Sequence, residues 1–300
     1  MKRRLHTYIF TSLLILFTSA CTSGDDPANN GNGPTPGAQV IDGLEQIYPG
    51  VSAVTWSEKK NYYVADFDYE GQSLRVWLTR EGRWMVKKTE VLYSDMDDRI
   101  KETFLRTAYG TWEVRTAYLL ERSGLETVGE ISVSRGGKVS NLYFTMQGDY
   151  IRVADDFKEY SDVPVTVPSQ LQNALDDMFD NAHIVDISVI HVIDSEIAVG
   201  LMDREHFMTS VFQSDYEWIV NFCDLRLEEL PAAVLTGYRN SQYYNYDLLH
   251  CREMRTKSGI SYLFYVDRGG KVAIAEFSAG GKLSSELSRS HAMTKYLLIR

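Results

Sequence analysis

The sequence is poor in the residues from which reactive and metal-binding sites are built. It contains 3 cysteines and 6 histidines in 300 residues. No two histidines have the HxxxH spacing of a helical zinc site, and no GxSxG nucleophile motif occurs. His250 and Cys251 are adjacent in a predicted strand, so their side chains point to opposite faces and cannot form a catalytic dyad. We therefore expect no catalytic residue, no metal site and no cofactor.

Long basic runs are absent as well. After Lys2-Arg3-Arg4, lysine and arginine never occur in runs longer than two, and the net charge is −10 with a pI near 5.2. A surface with this charge repels phosphate backbones, so we expect no nucleic-acid partner. The contents of hydrophobic residues (44%) and charged residues (24%) are those of a folded globular protein. The length is sufficient for two domains.

The N-terminus has the pattern of an exported lipoprotein. The basic start Lys2-Arg3-Arg4 is followed by an apolar run at 8–17, which is too short to span a bilayer as a helix. Thr18-Ser19-Ala20-Cys21 resembles the lipobox of bacterial lipoproteins, which implies acylation of Cys21, although lipoboxes usually have Leu, Val or Ile at the position of Thr18. Ordinary signal-peptidase cleavage beside a bystander cysteine is the alternative. We expect residues 1–20 to be a signal peptide.

The next segment is predicted to be a flexible tether at 21–37. It is rich in Gly, Pro, Asn and Asp and has no hydrophobic period, so it cannot bury apolar surface. Asp25 and Asp26 resemble the acidic signal that sends some Bacteroidetes-type lipoproteins to the outer cell surface, but such a pair is also common by chance. The expected location is the cell envelope, lipid-anchored to the outer membrane on its periplasmic or cell-surface face.

From residue 38 the chain alternates between short helical patterns and groups of strand-like runs. Helices are predicted at 38–48, from Ser94 or Asp95, after 169 and at 227–238, each followed by about four short strands. Prolines 164 and 168 interrupt the pattern. We predict an α+β fold of four units, each a helix packed on a four-stranded antiparallel meander. The units would form domains 38–156 and 170–300, joined by a linker at 157–169.

The two halves repeat at a nearly constant offset. Arg135-Gly136-Gly137-Lys138-Val139 recurs as Arg268-Gly269-Gly270-Lys271-Val272, 133 residues later, and Trp84 and Trp218 are 134 residues apart. The segment 44–48 aligns with 175–179. This repetition indicates one duplicated supersecondary unit, with the Gly-Gly pairs in hairpin turns rather than phosphate-binding loops. A helix on one face of an antiparallel sheet leaves the other face available.

These features resemble the PepSY-like domains of Bacteroidetes secreted lipoproteins, which are also described as beta-lactamase-inhibitor-like. The resemblance rests on the lipobox with its polar linker, the helix-Pro-Gly-strand opening at 44–51 and the Gly82-Arg83-Trp84 turn. It covers residues 38 to about 90 best, and the second half has Asp180-Asn181 in place of Pro-Gly. The resemblance implies an α+β fold, an extracytoplasmic location and a binding or inhibitory role.

Aromatic residues are the strongest candidates for a contact surface. The chain has 19 Tyr, 12 Phe and 5 Trp, and amphipathic rings bury contact area at low entropy cost. The candidate binding residues are Tyr69, Trp77, Tyr243 and Tyr246. The alternative is that these rings pack in the cores between helices and sheets.

Two further residue groups leave alternatives open. Cys223 and Cys251 could pair outside the cytoplasm, and the alternative, which we favour, is that both are buried thiols. Asp66, Asp68 and Glu70 lie on one predicted strand face and could attract calcium. Because the loop spacing of an EF-hand is absent, we interpret them as a solvated acidic face.

The leading functional hypothesis is a non-enzymatic, lipid-anchored binding module. It would present its open sheet faces to an extracytoplasmic protein or peptide, and inhibition of an enzyme is one version. The alternative is carbohydrate or small-ligand binding at the cell surface, with tyrosines stacking on sugar rings. A hydrolase with a carboxylate pair is a third possibility, because such a pair needs only proximity in space. Membrane contact is expected through the N-terminal lipid only.

Overall fold

A computed structural model describes residues 33–155, 164–180, 183–190, 196–203 and 206–287. The predicted signal peptide, Cys21, Asp25 and Asp26 lie outside these residues, as do much of the predicted linker and the C-terminal tail. Among the described residues, no helix has the length and apolar character needed to cross a membrane.

The described strands form two antiparallel sheets of eight strands each, and every strand is hydrogen-bonded to its neighbours in the sequence. The first sheet contains Thr55–Lys59 (β1), Tyr62–Tyr69 (β2), Gln72–Leu78 (β3), Trp84–Val91 (β4), Glu113–Arg122 (β5), Leu125–Arg135 (β6), Lys138–Thr145 (β7) and Tyr150–Asp155 (β8). The second contains His183–Ile190 (β9), Glu196–Asp203 (β10), His206–Phe212 (β11), Trp218–Leu225 (β12), Asp247–Thr256 (β13), Gly259–Asp267 (β14), Val272–Ser278 (β15) and Leu283–Leu287 (β16). The predicted antiparallel strands are confirmed, but they form two sheets of eight rather than separate four-stranded meanders.

Within the described ranges, four short α-helices pack on one face of these sheets, two on each. They are Ala38–Ile47 (α1), Asp98–Arg106 (α2), Ser169–Asp176 (α3) and Ala232–Arg239 (α4). Each helix buries two residues four positions apart, which lie on the same side of a helix. The buried pairs are Val40 and Leu44, Ile100 and Phe104, Leu171 and Leu175, and Val234 and Tyr238. Each pair enters a separate hydrophobic cluster with the strands beneath it.

Two helices begin later than their patterns predict. Helix α2 starts at Asp98 because the carboxylate of Asp97, not of Ser94 or Asp95, accepts a hydrogen bond from the Arg99 backbone N–H at 2.9 Å. Helix α4 starts at Ala232, directly after Pro231, and residues 227–229 form a 3-10 turn instead. Proline is favoured at the entrance to a helix and disfavoured inside one.

The third hairpin of every four-strand group has the same backbone turn. In each turn the backbone N–H of the first residue donates to the carbonyl of the residue four positions later. The carbonyl of the first residue accepts from the N–H of the residue three positions later. The first residues are Thr79, Thr145, Gln213 and Ser278. The residues three positions later, Gly82, Gly148, Tyr216 and Gly281, all have positive φ, between 69° and 97°. The register also shifts beside each turn, as in a three-residue hairpin with a bulge.

Glycine permits α1 and α4 to touch these turns. A Cβ on Gly43 of α1 would lie 2.1 Å from the carbonyl oxygen of Gly82, and a Cβ on Gly237 of α4 would lie 1.9 Å from that of Gly281. Both neighbours are backbone atoms, which cannot rotate away. The backbones of helix and hairpin therefore approach as closely as glycine allows.

Candidate functional site

The sheet faces opposite the helices are not as open as the sequence suggests. Part of the first sheet's free face packs against strands β9–β11 of the second sheet in one hydrophobic cluster. The buried members are Val64, Trp77, Val86, Leu120, Val128, Tyr143 and Ile151 from the first sheet, and Val185, Met202 and Phe207 from the second. The expectation that helices cover one face and leave the other available is wrong for this region, because the two sheets cover each other.

A buried ionic group reinforces the contact between the sheets. Asp186 of β9 accepts a hydrogen bond from Arg152 of β8 at 3.0 Å and lies 3.5 Å from the guanidinium of Arg122 of β5. Arg122 also donates to the backbone carbonyls of Val185 and Glu126. Burial lowers the pKa of Arg122, and Asp186 opposes this shift. One carboxylate of the second sheet therefore holds two arginines of the first.

The rest of the first sheet's free face forms an open depression of about 490 Å³, which we call the charged cleft. Strands β2 to β5 form its floor, and the loop before β1 forms one wall. It is lined by Ser52, Ala53, Thr55, Asp66, Phe67, Asp68, Ser73, Leu74, Arg75, Lys88, Glu90 and Tyr118. Ala53 has a φ of 54°, which is uncommon for a residue other than glycine.

Strand register aligns the polar residues of the cleft in rows. Asp66 is paired with Arg75, and Arg75 with Lys88, across β2, β3 and β4. In the adjacent row Asp68 is paired with Ser73 and Glu90 with Tyr118. Since alternate strand residues share a face, these side chains project on the same side of the sheet.

The two cations of the cleft are held by carboxylates of the same face. Arg75 contacts Asp66 with a nitrogen–oxygen distance of 2.7 Å. Lys88 is almost fully buried, lies 2.9 Å from Glu130, and has its ammonium 4.2 Å from the centroid of the Tyr118 ring. The cleft therefore has no positive charge left over for an anionic ligand.

Two carboxylates of the cleft have no cation partner in the described part of the chain. The Asp68 side chain accepts one hydrogen bond, from the hydroxyl of Ser73 at 2.6 Å, and the Glu90 side chain forms no ion pair or hydrogen bond with described residues. Both residues are exposed, and the half-buried ring of Tyr118 lies beside Glu90 in the register. The arrangement offers negative charge beside an aromatic ring, which suits a cationic group.

The four aromatic candidates differ in burial: two are buried and two are half-buried. Trp77 is 2% exposed in the cluster between the sheets, and Tyr243 is 2% exposed in the core under α4. Neither ring can contact a partner in this structure, so the interpretation of these two as surface residues is corrected. Tyr69 and Tyr246 are half-buried: Tyr69 donates a hydrogen bond to the Pro49 carbonyl, and Tyr246 stacks under Arg268.

The sequence did not single out Tyr118 or Glu90 as site residues. Alternation within β4 and β5 places Glu90 and Tyr118 on the face away from the helices, but only the register between the strands makes them neighbours. The acidic face predicted at Asp66 and Asp68 exists, yet Arg75 neutralises Asp66. Among the described residues, no group of three or more His, Cys, Asp or Glu side chains could hold a metal ion.

Cys223 and Cys251 carry thiols rather than a disulfide. They lie on adjacent strands but out of register, since Cys223 is paired with Glu253 and Cys251 with Leu225. The Cys251 thiol donates to the Leu225 carbonyl at 2.9 Å, and burial raises its pKa to about 12. Because the thiolate is the nucleophilic form, Cys251 is unreactive at neutral pH.

Comparison with known proteins finds structural neighbours but no matching sequence family. No protein-family model matches the chain, and no curated protein does. Similar solved structures include a protein described as periplasmic from Bacteroides eggerthii DSM 20697, with 22% identity, a TM-score of 0.41, and coverage of 44% of this chain and 96% of its own. A DUF2874 family protein from Bacteroides uniformis ATCC 8492 has the same identity and TM-score, with 44% and 97% covered. A BLIP-like protein from Bacteroides fragilis NCTC 9343 has 26% identity, a TM-score of 0.39, and 45% and 94% covered.

Proposed function

We propose that this chain is a non-catalytic binding module of the cell envelope, tethered through lipid on Cys21, whose charged cleft docks a protein segment that bears a lysine or arginine. The observation that supports this most is a pair of carboxylates, Asp68 and Glu90, beside the ring of Tyr118, which have no cation partner among the described residues. An incoming cation would gain charge-assisted hydrogen bonds and a ring contact at once.

The fold supports a binding role because it holds the cleft on a sheet rather than on mobile loops. Most cleft residues lie on four consecutive strands, and Lys88 and Glu130 fix the ring of Tyr118 from below. A surface positioned in advance loses little conformational entropy on binding.

We infer further that the fold consists of four copies of one helix-plus-four-strand unit, as in PepSY-like domains. The support is the element order, the buried residue pair in each helix and the four third hairpins with the same hydrogen bonds and positive φ. In this arrangement the charged cleft spans the first unit and the first strand of the second.

Site-specific photo-crosslinking tests the proposed function. A photoreactive phenylalanine derivative would replace Tyr118 in the cleft or, as the control, Tyr244, which is 52% exposed outside the cleft. In cells, we expect a discrete protein adduct from position 118 that the double substitution Asp68→Asn and Glu90→Gln abolishes. Equal adducts from both positions, or none from position 118, would contradict the proposal.

A further inference from the structure

The two helices of the second sheet leave a gap between them that forms a second cavity, of about 700 Å³, which we call the seam pocket. It lies on the helix-bearing face, since Met208 packs with the cluster under α3 and Leu225 with the cluster under α4. It is lined by Met178, Phe179, Asp180, Asp203, His206, Met208, Asn221, Cys223, Leu225, Glu253 and Arg255. It is remote in sequence from the charged cleft and plays no part in the proposed docking there.

The first sheet closes the equivalent gap with an ion pair. Lys87 and Glu121 are paired across β4 and β5, with 2.8 Å between nitrogen and oxygen. At the offset of 134 residues that relates Trp84 to Trp218, the corresponding pair is Asn221 and Arg255, which are also in register. The Asn221 oxygen accepts from Trp218 and Ser210 instead, and Arg255 contacts Glu253, so this pair does not close the gap with an ion pair.

Asn221 directs an unused donor into the seam pocket. Its side-chain oxygen accepts from the indole N–H of Trp218 at 2.7 Å and from the hydroxyl of Ser210 at 2.6 Å. Because an indole can only donate, these bonds fix the orientation of the amide. Asn221 is 8% exposed, and its NH₂ group has no partner in the described part of the chain. The nitrogen is not one of the described side-chain atoms that are buried without a hydrogen bond, so it is accessible from the pocket and can donate to a ligand atom.

The rim of the pocket offers hydrogen-bond acceptors, whereas Asn221 offers a donor. The side chains of Asp180 and Asp203 form no ion pair or hydrogen bond with described residues. Arg255 lies 3.0 Å from Glu253, so its charge is already balanced. The side chains of Met178 and Phe179 supply an apolar wall between floor and rim. Carboxylates therefore outnumber cations in the lining.

These groups together select the chemistry of the ligand. An ammonium or guanidinium group can only donate, so it could not satisfy the NH₂ of Asn221. A carboxylate would be repelled by Asp180 and Asp203. A hydroxyl group can both accept from Asn221 and donate to the aspartates, and the carbon face of a sugar ring packs on an aromatic wall. We propose that the seam pocket binds a neutral sugar.

Cys223 provides a reporter inside the pocket. It lines the cavity and is half-buried, whereas Cys251 is buried with a raised pKa. Alkylation at Cys223, mapped by peptide mass on the full chain in detergent, measures whether the pocket is occupied. A panel of neutral monosaccharides and disaccharides at about 10 mM would be the probe, with melting temperature measured in parallel.

We expect at least one neutral sugar to raise the melting temperature and to slow alkylation of Cys223. Replacing Asp180 and Asp203 together with Ala should weaken that sugar's binding about tenfold or more. The matched control, Asp42→Ala with Glu45→Ala on α1, should bind as the wild type does, because both residues are exposed and far from the pocket in sequence.

Asn221→Asp is a second variant, which keeps the acceptor for Trp218 and removes the donor, and it should also lose sugar binding. If it unfolds, the rim variants decide the question by themselves. The proposal is overturned if no sugar in the panel protects Cys223 or if the rim variant binds sugar as well as the wild type. It is also overturned if a cation (choline) or a zwitterion (glycine) protects Cys223 and sugars do not.

Discussion

At the scale of single residues, the exposure of each aromatic ring decides its role. Trp77 was a candidate contact residue on its type and its position in a predicted strand. Its side chain lies on the sheet face opposite the helices, and strands of the second sheet bury it there. Sequence alternation identifies the two faces of a strand, but it cannot show that a distant segment covers one of them.

Trp77→Ala should therefore act on stability. Removing a large buried side chain leaves a cavity, and the expected loss in unfolding free energy is about 3–5 kcal/mol. Tyr246→Ala, at a half-buried ring, should cost clearly less. Urea unfolding of both variants measures the difference, and equal losses would show that Trp77 does not pack between the sheets.

The Glu229 side chain is expected to make the stability of the protein depend on pH. Burial raises its pKa, but the Arg226 backbone N–H, the Arg226 guanidinium and His206 outweigh burial and lower the pKa to about 2. A carboxylate with a depressed pKa stabilises the fold above its unfolded pKa of about 4.3, and this contribution is lost as the pH falls through about 2.

We expect Glu229→Gln to lower the melting temperature at pH 7 by roughly 2–4 °C, which corresponds to about 1 kcal/mol for a partly exposed group. The difference from wild type should shrink as the pH falls from 4 towards 2. Thermal melts across this range measure it, and a difference that is constant with pH would contradict the assigned ionic contacts.

At the scale of elements, the close approach of helix and hairpin is the most specific feature. Gly43→Ala and Gly237→Ala each place a methyl group against a backbone carbonyl. We expect each to destabilise the protein by about 1–3 kcal/mol, because neither neighbour can move without shifting a turn. Gly37→Ala is the control, since nothing lies within 4 Å of its Cβ, and it should change stability by about 0.5 kcal/mol or less.

Helices and strands were predictable from the sequence where periodicity was supported by a turn signal. The Gly-Gly pairs at 136–137 and 269–270 all have positive φ and connect paired strands, which confirms the hairpin interpretation. Boundaries failed where a polar side chain or a proline decided the start, as at Asp97 and Pro231. Leu105 lies within the helical pattern yet is 63% exposed, because a single short helix buries few positions.

At the scale of the whole molecule, the contact between the two sheets is the part that the sequence did not reveal. Asp186, Arg122 and Arg152 come from three strands on two sheets, and no local pattern connects them. The internal repeat predicted similar halves, but an interface between repeats depends on residues that the halves do not share. The charged cleft was likewise found only once strand register placed Glu90 beside Tyr118.

Asp186→Ala tests whether this ionic group joins the sheets. Removing the carboxylate leaves two largely buried arginines without their shared ion-pair partner. The expected loss in unfolding free energy is about 3–5 kcal/mol. Asp42→Ala, on an exposed helix position, should be nearly neutral. Urea unfolding with probes in each sheet measures both, and an Asp186→Ala variant as stable as the control would show that the sheets do not depend on this contact.

The central claim is that the charged cleft is the working surface, and affinity measurements on charge variants test it most directly. The protein identified by crosslinking at position 118 would be titrated against the wild type, the cleft variant Asp68→Asn with Glu90→Gln, and the charge-matched control Asp42→Asn with Glu45→Gln. We predict a loss of affinity of about tenfold or more for the cleft variant, with a weaker salt dependence, and a control that binds as the wild type does. Equal affinities of the cleft variant and the control would contradict the account.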